Sequence, residues 1–340
     1  MSQTQMGREV QEIPDAVARL LDGRGAIAAA ATALRGADPV FLATIARGSS
    51  DHAATFLQYA SALLLGVPVA SLAPSVASVF GVTPRLARAG CMAISQSGQS
   101  PDIVAMTAAA RRTGALTLAL TNDLGSPLAA AADHAIDICA GPERSVAATK
   151  TFVTSAVAAL AVLAEWAGDD RLQAALAVLP DALRVAASCD WPEFRQALAG
   201  RNSLYVLGRG PGLAISNEAA LKFKETCQIH AESYSSAEVL HGPVSIVEPG
   251  FPVLALANRD AAESALVSVA DNLADRGAAV FATSALAGRA RRIDFVPTGH
   301  GLTDPLSLVV SFYAMVERLA VERGVNPDAP RHLKKVTETL

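Results

Sequence analysis

The pattern that most restricts what this chain can fold into is a recurring order of apolar strand, small-residue turn and helix. A strand-like run from Val40 to Ala46 meets Gly48-Ser49-Ser50 and then a helical pattern over 51–65. A second run, Cys91 to Ser95, enters Gln96-Ser97-Gly98-Gln99-Ser100 and continues into a helical pattern over 101–113. Ala115–Thr121 and Ala135–Cys139 read as third and fourth strands, and two helical patterns, 8–22 and 24–35, precede the series. Strands alternating with helices of this length imply right-handed crossovers and a parallel sheet covered on both faces.

The alternation breaks between residues 148 and 199, which are helical in period and punctuated by Pro180 and Pro192. It then resumes with a strand at Leu204–Leu207, a tight turn from Gly208 to Gly212 and a helix over 213–227. Val253–Ala257 and Ala279–Ala282 extend that series with a helix over 260–275 between them, and a final helix over 305–323 leads to a polar tail. FLATIARGSSDHA and SLYVLGRGPGLAI begin the two series in the same way, a weak internal repeat roughly 160 residues apart. The expectation is an α/β chain with two tandem copies of one fold.

Composition narrows the function classes. With 51% hydrophobic residues the 340-residue chain can bury a large core, and a net charge of −4 gives no basic face for nucleic acid. Cys91, Cys139, Cys189 and Cys227 are widely spaced with no CxxC pair, and Cys91 and Cys139 fall in apolar strand-like runs, so buried thiols are expected. The N-terminus is polar, and the apolar stretch Val153–Ala167 is short for a membrane span and carries Thr154, Ser155 and Glu165. A reducing, cytoplasmic setting is the default expectation.

The segment Ile94-Ser95-Gln96-Ser97-Gly98-Gln99-Ser100-Pro101 carries the sharpest local signal. It joins a buried strand to a helix start, where unpaired N–H groups and a partial positive charge suit a phosphate. Ser95, Ser97 and Ser100 add hydroxyls, and Gly98 permits close approach; alternatively these residues cap the helix and turn the chain. Ser49 and Ser50, at the end of the first strand, open onto the same sheet edge, where ligands of open α/β sheets gather. No Walker motif is present, and no GxGxxG follows a strand and opens a helix.

Further along, Lys222 and Glu225 share a helix face, which by spacing alone describes a surface ion pair. His241 lies in a Gly-Pro loop, a place for an exposed or structural histidine, and Arg331-His-Leu-Lys334-Lys335 reads as a solvated basic tail. Together they supply a carboxylate, an imidazole and amines, the set an aldose–ketose interconversion requires.

In chain order the motifs are Met6-Gly-Arg-Glu9-Val-Gln-Glu12-Ile-Pro14, Arg47-Gly48-Ser49-Ser50, Ser95-Gln96-Ser97-Gly98 and Ala140-Gly-Pro-Glu143 with Val146-Ala-Ala148-Thr149-Lys150. Leu207-Gly-Arg-Gly210, Glu218-Ala-Ala-Leu-Lys222-Phe-Lys-Glu225, His230-Ala-Glu232, Glu238-Val-Leu-His241-Gly-Pro243 and Pro330-Arg331-His-Leu-Lys-Lys335-Val-Thr337 complete the series. By these motifs the chain resembles the sugar isomerase (SIS) superfamily over nearly its full length, in particular the isomerase half of glutamine–fructose-6-phosphate aminotransferase.

The resemblance implies two SIS-type three-layer α/β/α domains with mainly parallel sheets. These would be a helical segment 1–35, a first domain 36–165, a helical linker 166–199, a second domain 200–325 and a tail 326–340 closing over the site. It assigns the sugar phosphate to Ser50, Ser95, Gln96, Ser97 and Ser100, with Ser49 where the family usually has Thr. It makes Glu225 the carrier of a proton between C1 and C2, Lys222 its support, and His241 the ring-opening group supplied by a neighbouring subunit of a homodimer. Lys335 matches a terminal lysine that forms a Schiff base with a ketose, with Lys334 beside it; Val146 falls at a backbone contact to the sugar, and Ala148 replaces a contacting Ser. No cofactor, metal, nucleic-acid or membrane partner is implied.

The synthase of that family opens with a nucleophilic Cys in a glutamine-hydrolysing domain, whereas this sequence starts Met1-Ser2-Gln3 and its first Cys is Cys91. The expected reaction is therefore the reverse flow: glucosamine 6-phosphate, through a C2 imine, to fructose 6-phosphate and ammonia, as in the alternative type of glucosamine-6-phosphate deaminase. Plain aldose–ketose isomerisation, ammonia-dependent synthesis, deglycation of a fructosamine phosphate and a non-enzymatic sugar-phosphate sensor are the rivals.

Overall fold

A computed structural model describes residues 4–335; residues 336–340 of the expected tail, with Val336 and Thr337 of its motif, lie outside the described residues, as do 1–3. The chain forms two compact units that interleave in sequence. One holds the first sheet and comprises Asp15–Glu143, Lys150–Ala177 and the tail from Lys334; the other holds the second sheet and comprises the segment up to Pro14, Arg144–Thr149 and Val178–Leu333.

The N-terminal region contains α1 (Gln5–Gln11), α2 (Ile13–Asp22) and α3 (Gly25–Ala37). The single helix expected over 8–22 is thus two, broken at Glu12 just before Pro14, whose ring has no N–H to continue the ladder. The first-sheet unit continues through β1 (Phe41–Ile45), α4 (Ser49–Leu65), β2 (Val69–Ser71), α5 (Ser75–Ser78) and β3 (Ala89–Ile94). It goes on through α6 (Pro101–Arg112), β4 (Leu116–Thr121), α7 (Pro127–Ala131), β5 (His134–Asp137) and α8 (Lys150–Ala167). Its strands are all parallel, in the order β2-β1-β3-β4-β5.

Alternate residues of each central strand feed two cores. Ala43, Ile45, Cys91, Ala93 and Ala119 face α6 and α7, packing on Ile103, Met106, Ala110 and Leu128. Leu42, Met92, Ile94, Leu118 and Leu120 are equally buried on the other face, where α3, α4 and α8 lie. Burial on both faces explains the continuous apolar runs in the sequence. Helix α8 starts at Lys150, before the apolar stretch that marks it in sequence, and is long and apolar enough to cross a membrane; 83% of it is buried inside the protein.

The chain crosses into the second-sheet unit within α9 (Asp170–Ala186) and continues with α10 (Pro192–Ala197), β6 (Ser203–Gly208), α11 (Pro211–Cys227) and β7 (His230–Ser235). There follow β8 (Pro252–Ala255), α12 (Glu263–Asp275), β9 (Ala279–Ala282), β10 (Arg291–Arg292) and α13 (Asp304–Glu322). The sheet order is β10-β9-β8-β6-β7, again wholly parallel. Counted from each unit's first strand this is the same order, 2-1-3-4-5, as in the first sheet, so the internal echo is a structural repeat. Even the turns agree: Gly48 has φ +56 and ψ −133, and Gly210 has φ +55 and ψ −136. Phe223 of α11 meets Phe194 and Phe312 edge-on, at ring-centroid distances of 6.3 and 5.2 Å, so aromatic packing ties α11 to α10 and α13.

All four cysteines are free. Burial pushes the Cys91 and Cys227 thiols up to about 12. Cys139 departs from the expected buried strand: β5 ends at Asp137, and Cys139 is half-buried with φ +53.

The outer strand β5 is anchored by Asp133. Its carboxylate accepts the Thr117 N–H at 3.0 Å and the Thr117 hydroxyl at 2.8 Å, and pairs with Arg111 at 2.7 Å. Burial disfavours the charged form, but these contacts outweigh it and hold the carboxyl below its ordinary value. The stability it contributes is complete above the unfolded value of about 4 and is lost as pH falls through the lower folded value. Asp133→Asn is therefore expected to flatten the acid limb of a melting-temperature profile between about pH 4 and 2; an unchanged limb would show that the contact does not discriminate the folded state.

Candidate active site

In the first-sheet unit the order β2-β1-β3-β4-β5 makes the chain turn to opposite sides after β1 and after β3. Turns that diverge in this way leave a crevice at the C-terminal strand edge. After β1, Arg47-Gly48 leads directly into α4, whose first turn holds Ser49 and Ser50, both half-buried. After β3, Ser95 is buried, Gln96 and Ser97 are half-buried, and Ser100 is the N-cap of α6 with Pro101 at its first position. The candidate phosphate residues of this unit thus flank one switch point.

The serine turn is built from its own side chains. The Ser95 Oγ accepts the Gly98 N–H and the Ser97 Oγ accepts the Gln99 N–H, each at 3.3 Å. With its oxygen accepting inside the turn, each hydroxyl can direct its proton outward to an anion. Gly98 has φ +61, and a Cβ there would lie 2.2 Å from the Ser126 Oγ, so only glycine fits between the turn and the start of α7. Arg47 closes the other side: its Nη2 and Nε lie 2.7 and 2.8 Å from the Oδ2 of the fully buried Asp102 in the first turn of α6. Asp102 occupies much of this guanidinium's charge, which leaves the backbone N–H groups and hydroxyls as the main anion-binding elements.

Beyond β5, Glu143 has a fully enclosed side chain. Its oxygens accept the Thr151 N–H at 3.1 Å, the Thr151 hydroxyl at 2.7 Å and the Lys335 ammonium at 2.9 Å. Lys334, next to it, is exposed. In the second-sheet unit the loop carrying Val146 is fixed by the buried Glu9, which accepts the N–H groups of Arg144 and Ser145 at 2.5 and 3.3 Å. The Val146 N–H itself donates to the Asp328 carbonyl at 3.4 Å.

Lys222 and Glu225 do share a face of α11, but they do not form a surface pair. The Lys222 side chain is completely enclosed and its ammonium contacts Glu225 directly. On its other side it lies 3.4 Å from the Oε1 of Glu218, also fully buried, and that oxygen accepts the Tyr313 hydroxyl of α13 at 2.9 Å. Burial opposes the ammonium, yet Glu218 and then Glu225 outweigh it and raise the Lys222 pKa above its ordinary value. Glu225 is the outermost of the three, with 20% of its side chain exposed, so the cluster places one carboxylate at the surface against a locked cation. Such a carboxylate can receive and return a proton without moving.

His241 ends a 3-10 turn (Glu238–Leu240) and is exposed, followed by Gly242 with φ +135. The Tyr205 hydroxyl donates to the Pro243 carbonyl at 3.1 Å, tying this loop to the sheet below it. Sequence reasoning missed Glu218 and Tyr313 in the α11 cluster, and Glu143 and the Arg47–Asp102 pair in the first-sheet unit. Glu218 stands four residues before Lys222 on one helix face, a readable signal, whereas Tyr313 is 95 residues from Glu218. Among the described residues, no group of three or more His, Cys, Asp or Glu side chains is arranged to hold a metal ion.

Comparison with known proteins follows the same outline. The SIS domain model matches residues 39–165 and 197–288. A glutamine–fructose-6-phosphate aminotransferase [isomerizing] of Aeropyrum pernix is 34% identical over 97% of this chain, which spans 56% of that relative's length. A solved structure from Silicibacter pomeroyi DSS-3, described as a candidate phosphosugar isomerase, is 64% identical with a TM-score of 0.93, covering 96% of this chain and 100% of that one. A glucosamine-6-phosphate deaminase of Thermotoga maritima shares the fold at 18% identity, with a TM-score of 0.78 over 99% of this chain and 100% of that one.

The enclosed charges on α11 give a direct stability expectation. Lys222→Met leaves Glu218 and Glu225 facing one another without their cation, and breaking a buried pair in this way costs about 3–5 kcal/mol. Urea denaturation of the variant measures it; a loss below about 1 kcal/mol, the size of an exposed pair, would contradict the enclosure.

Proposed function

The chain belongs to the SIS domain family, and we propose that it converts glucosamine 6-phosphate to fructose 6-phosphate and ammonia by moving a proton between C2 and C1. The observation that carries this proposal is the half-open Glu225 carboxylate beside an ammonium locked by Glu218 and Tyr313. In the open-chain sugar, Glu225 takes the C2 proton as the C1 oxygen gains one from the medium, giving an enolamine. It then returns the proton to C1 as the nitrogen releases one, leaving a C2 imine. Water adds to that imine and ammonia departs, so one water is consumed for each ammonia released. Lys222 keeps the Glu225 carboxylate in place and opposes the charge that develops during transfer.

The remaining roles follow from chemistry. Ser49, Ser50, Ser95, Gln96, Ser97 and Ser100 take the phosphate, consistent with hydroxyls and N–H groups at a helix start. His241 opens the pyranose ring by carrying a proton from the C1 hydroxyl to the ring oxygen, acting on the site of a partner copy in a homodimer; its exposure is compatible with that assignment. Val146 offers a backbone contact to the sugar, and Lys335 supplies the amine that engages the ketose. The Thermotoga maritima deaminase, which shares the fold, is the analogy for loss of nitrogen.

A second reading is favoured by the Silicibacter pomeroyi relative: the same carboxylate interconverts an aldose and a ketose phosphate with no nitrogen involved. A coupled ammonia assay across glucosamine 6-phosphate, galactosamine 6-phosphate and fructosamine phosphates separates the two. Ammonia release from glucosamine 6-phosphate, lowered about 10²–10⁴-fold in Glu225→Gln while sugar-phosphate binding persists, is the expected result. No ammonia from any of them, with glucose and fructose 6-phosphate interconverted, would leave the isomerase; binding without turnover would leave a sensor.

A further inference from the structure

Glu143 belongs to none of the roles assigned above, yet it is among the most fixed carboxylates of the first-sheet unit. Its side chain is fully enclosed, one oxygen accepts the Thr151 N–H, and the other accepts the Thr151 hydroxyl. That N–H lies in the first turn of α8, where the helix dipole favours an anion. Lys150, the first residue of the helix, donates to the Pro142 carbonyl at 2.8 Å and so pins the backbone just before Glu143. A buried carboxylate held this rigidly is costly without a cation. One cation that it meets comes from the C-terminal tail: the Lys335 ammonium, 2.9 Å away with 25% of its side chain exposed.

We propose that Glu143 is the positioning residue for the terminal lysine, a fixed seat that selects Lys335 over Lys334 as the amine presented to a ketose carbonyl. The Lys335 ammonium sits against the Glu143 carboxylate, while the neighbouring Lys334 is exposed. The inference rests on the carbonyl chemistry proposed above. When the substrate arrives, the ammonium gives up a proton to the medium and its nitrogen adds to the C2 carbonyl. The carbonyl oxygen then leaves as water and an imine remains. Glu143 touches none of the reacting atoms; its work is to fix which nitrogen is present and where.

Two readouts on the full chain test this. In the first, limiting acetic anhydride labels the substrate-free protein and mass spectrometry compares the lysines. An ammonium held by a half-buried charged hydrogen bond is expected to acetylate about three- to tenfold more slowly than its exposed neighbour. Glu143→Gln closes that gap and Glu143→Asp restores part of it. Equal rates for Lys334 and Lys335 in the unaltered protein overturn the seat, whether or not the variants fold. In the second, fructose 6-phosphate is trapped with borohydride. An adduct confined to Lys335, which becomes shared with Lys334 or is lost in Glu143→Gln, supports the selection; an adduct already on Lys334 in the unaltered protein overturns it. No adduct on either lysine, with the labelling gap intact, overturns the carbonyl chemistry while upholding the seat.

Discussion

Every paired strand in both sheets runs parallel, and that constraint determines where chemistry can be placed. A parallel strand must be left at its C-terminal end and re-entered at its N-terminal end, so turns gather at one edge and helix starts gather with them. In the first-sheet unit the chain leaves β1 toward β2 and leaves β3 toward β4, on opposite sides. The two serine turns therefore flank a gap that the topology creates without any special residue. What the sequence adds is its lining: hydroxyls at 49, 50, 95, 97 and 100, and a glycine at 98 where a Cβ would strike Ser126.

The second-sheet unit repeats the topology and spends its polar residues elsewhere. Its buried charges lie along α11 rather than at a turn: Glu218, Lys222 and Glu225 occupy successive turns of one face. Enclosing an ammonium and a carboxylate in a core is a poor way to gain stability, because desolvation offsets most of the attraction. The arrangement makes physical sense as positioning. Tyr313 holds Glu218, Glu218 holds Lys222, and Lys222 holds the partly exposed Glu225, so each link fixes the next. Phe223, on the same helix, anchors it between Phe194 and Phe312 and keeps that chain of contacts rigid.

The central strands were legible because both faces are buried and their residues are uniformly apolar, as Cys91–Ile94 and Leu118–Leu120 show. Three of the four edge strands, all but β5, were not. β7 reads His-Ala-Glu-Ser-Tyr-Ser and is mostly half-exposed, β2 is short and largely exposed, and β10 is two exposed arginines. Edge strands need little apolar content, so a pattern search based on it passes over them. At the site, local spacing identified the serine turn and the Lys222–Glu225 pair. It misjudged the pair as a surface feature, since burial of a lysine is set by α13 and its Tyr313, far along the chain. Glu143 was visible as a motif residue, but its partner Lys335 lies 192 residues away.

Transfer of a proton between C1 and C2 by Glu225 is the claim on which the remaining assignments depend, and hydrogen isotope exchange reports it directly. Fructose 6-phosphate incubated with the protein and ammonium ions in deuterium oxide, followed by proton NMR, is expected to lose one C1 proton signal as deuterium washes in. Glu225→Gln is expected to slow this by about 10²-fold or more. Retention of both C1 protons by the unaltered protein, under conditions where it binds the sugar phosphate, would contradict the account; so would exchange that proceeds at full rate without Glu225.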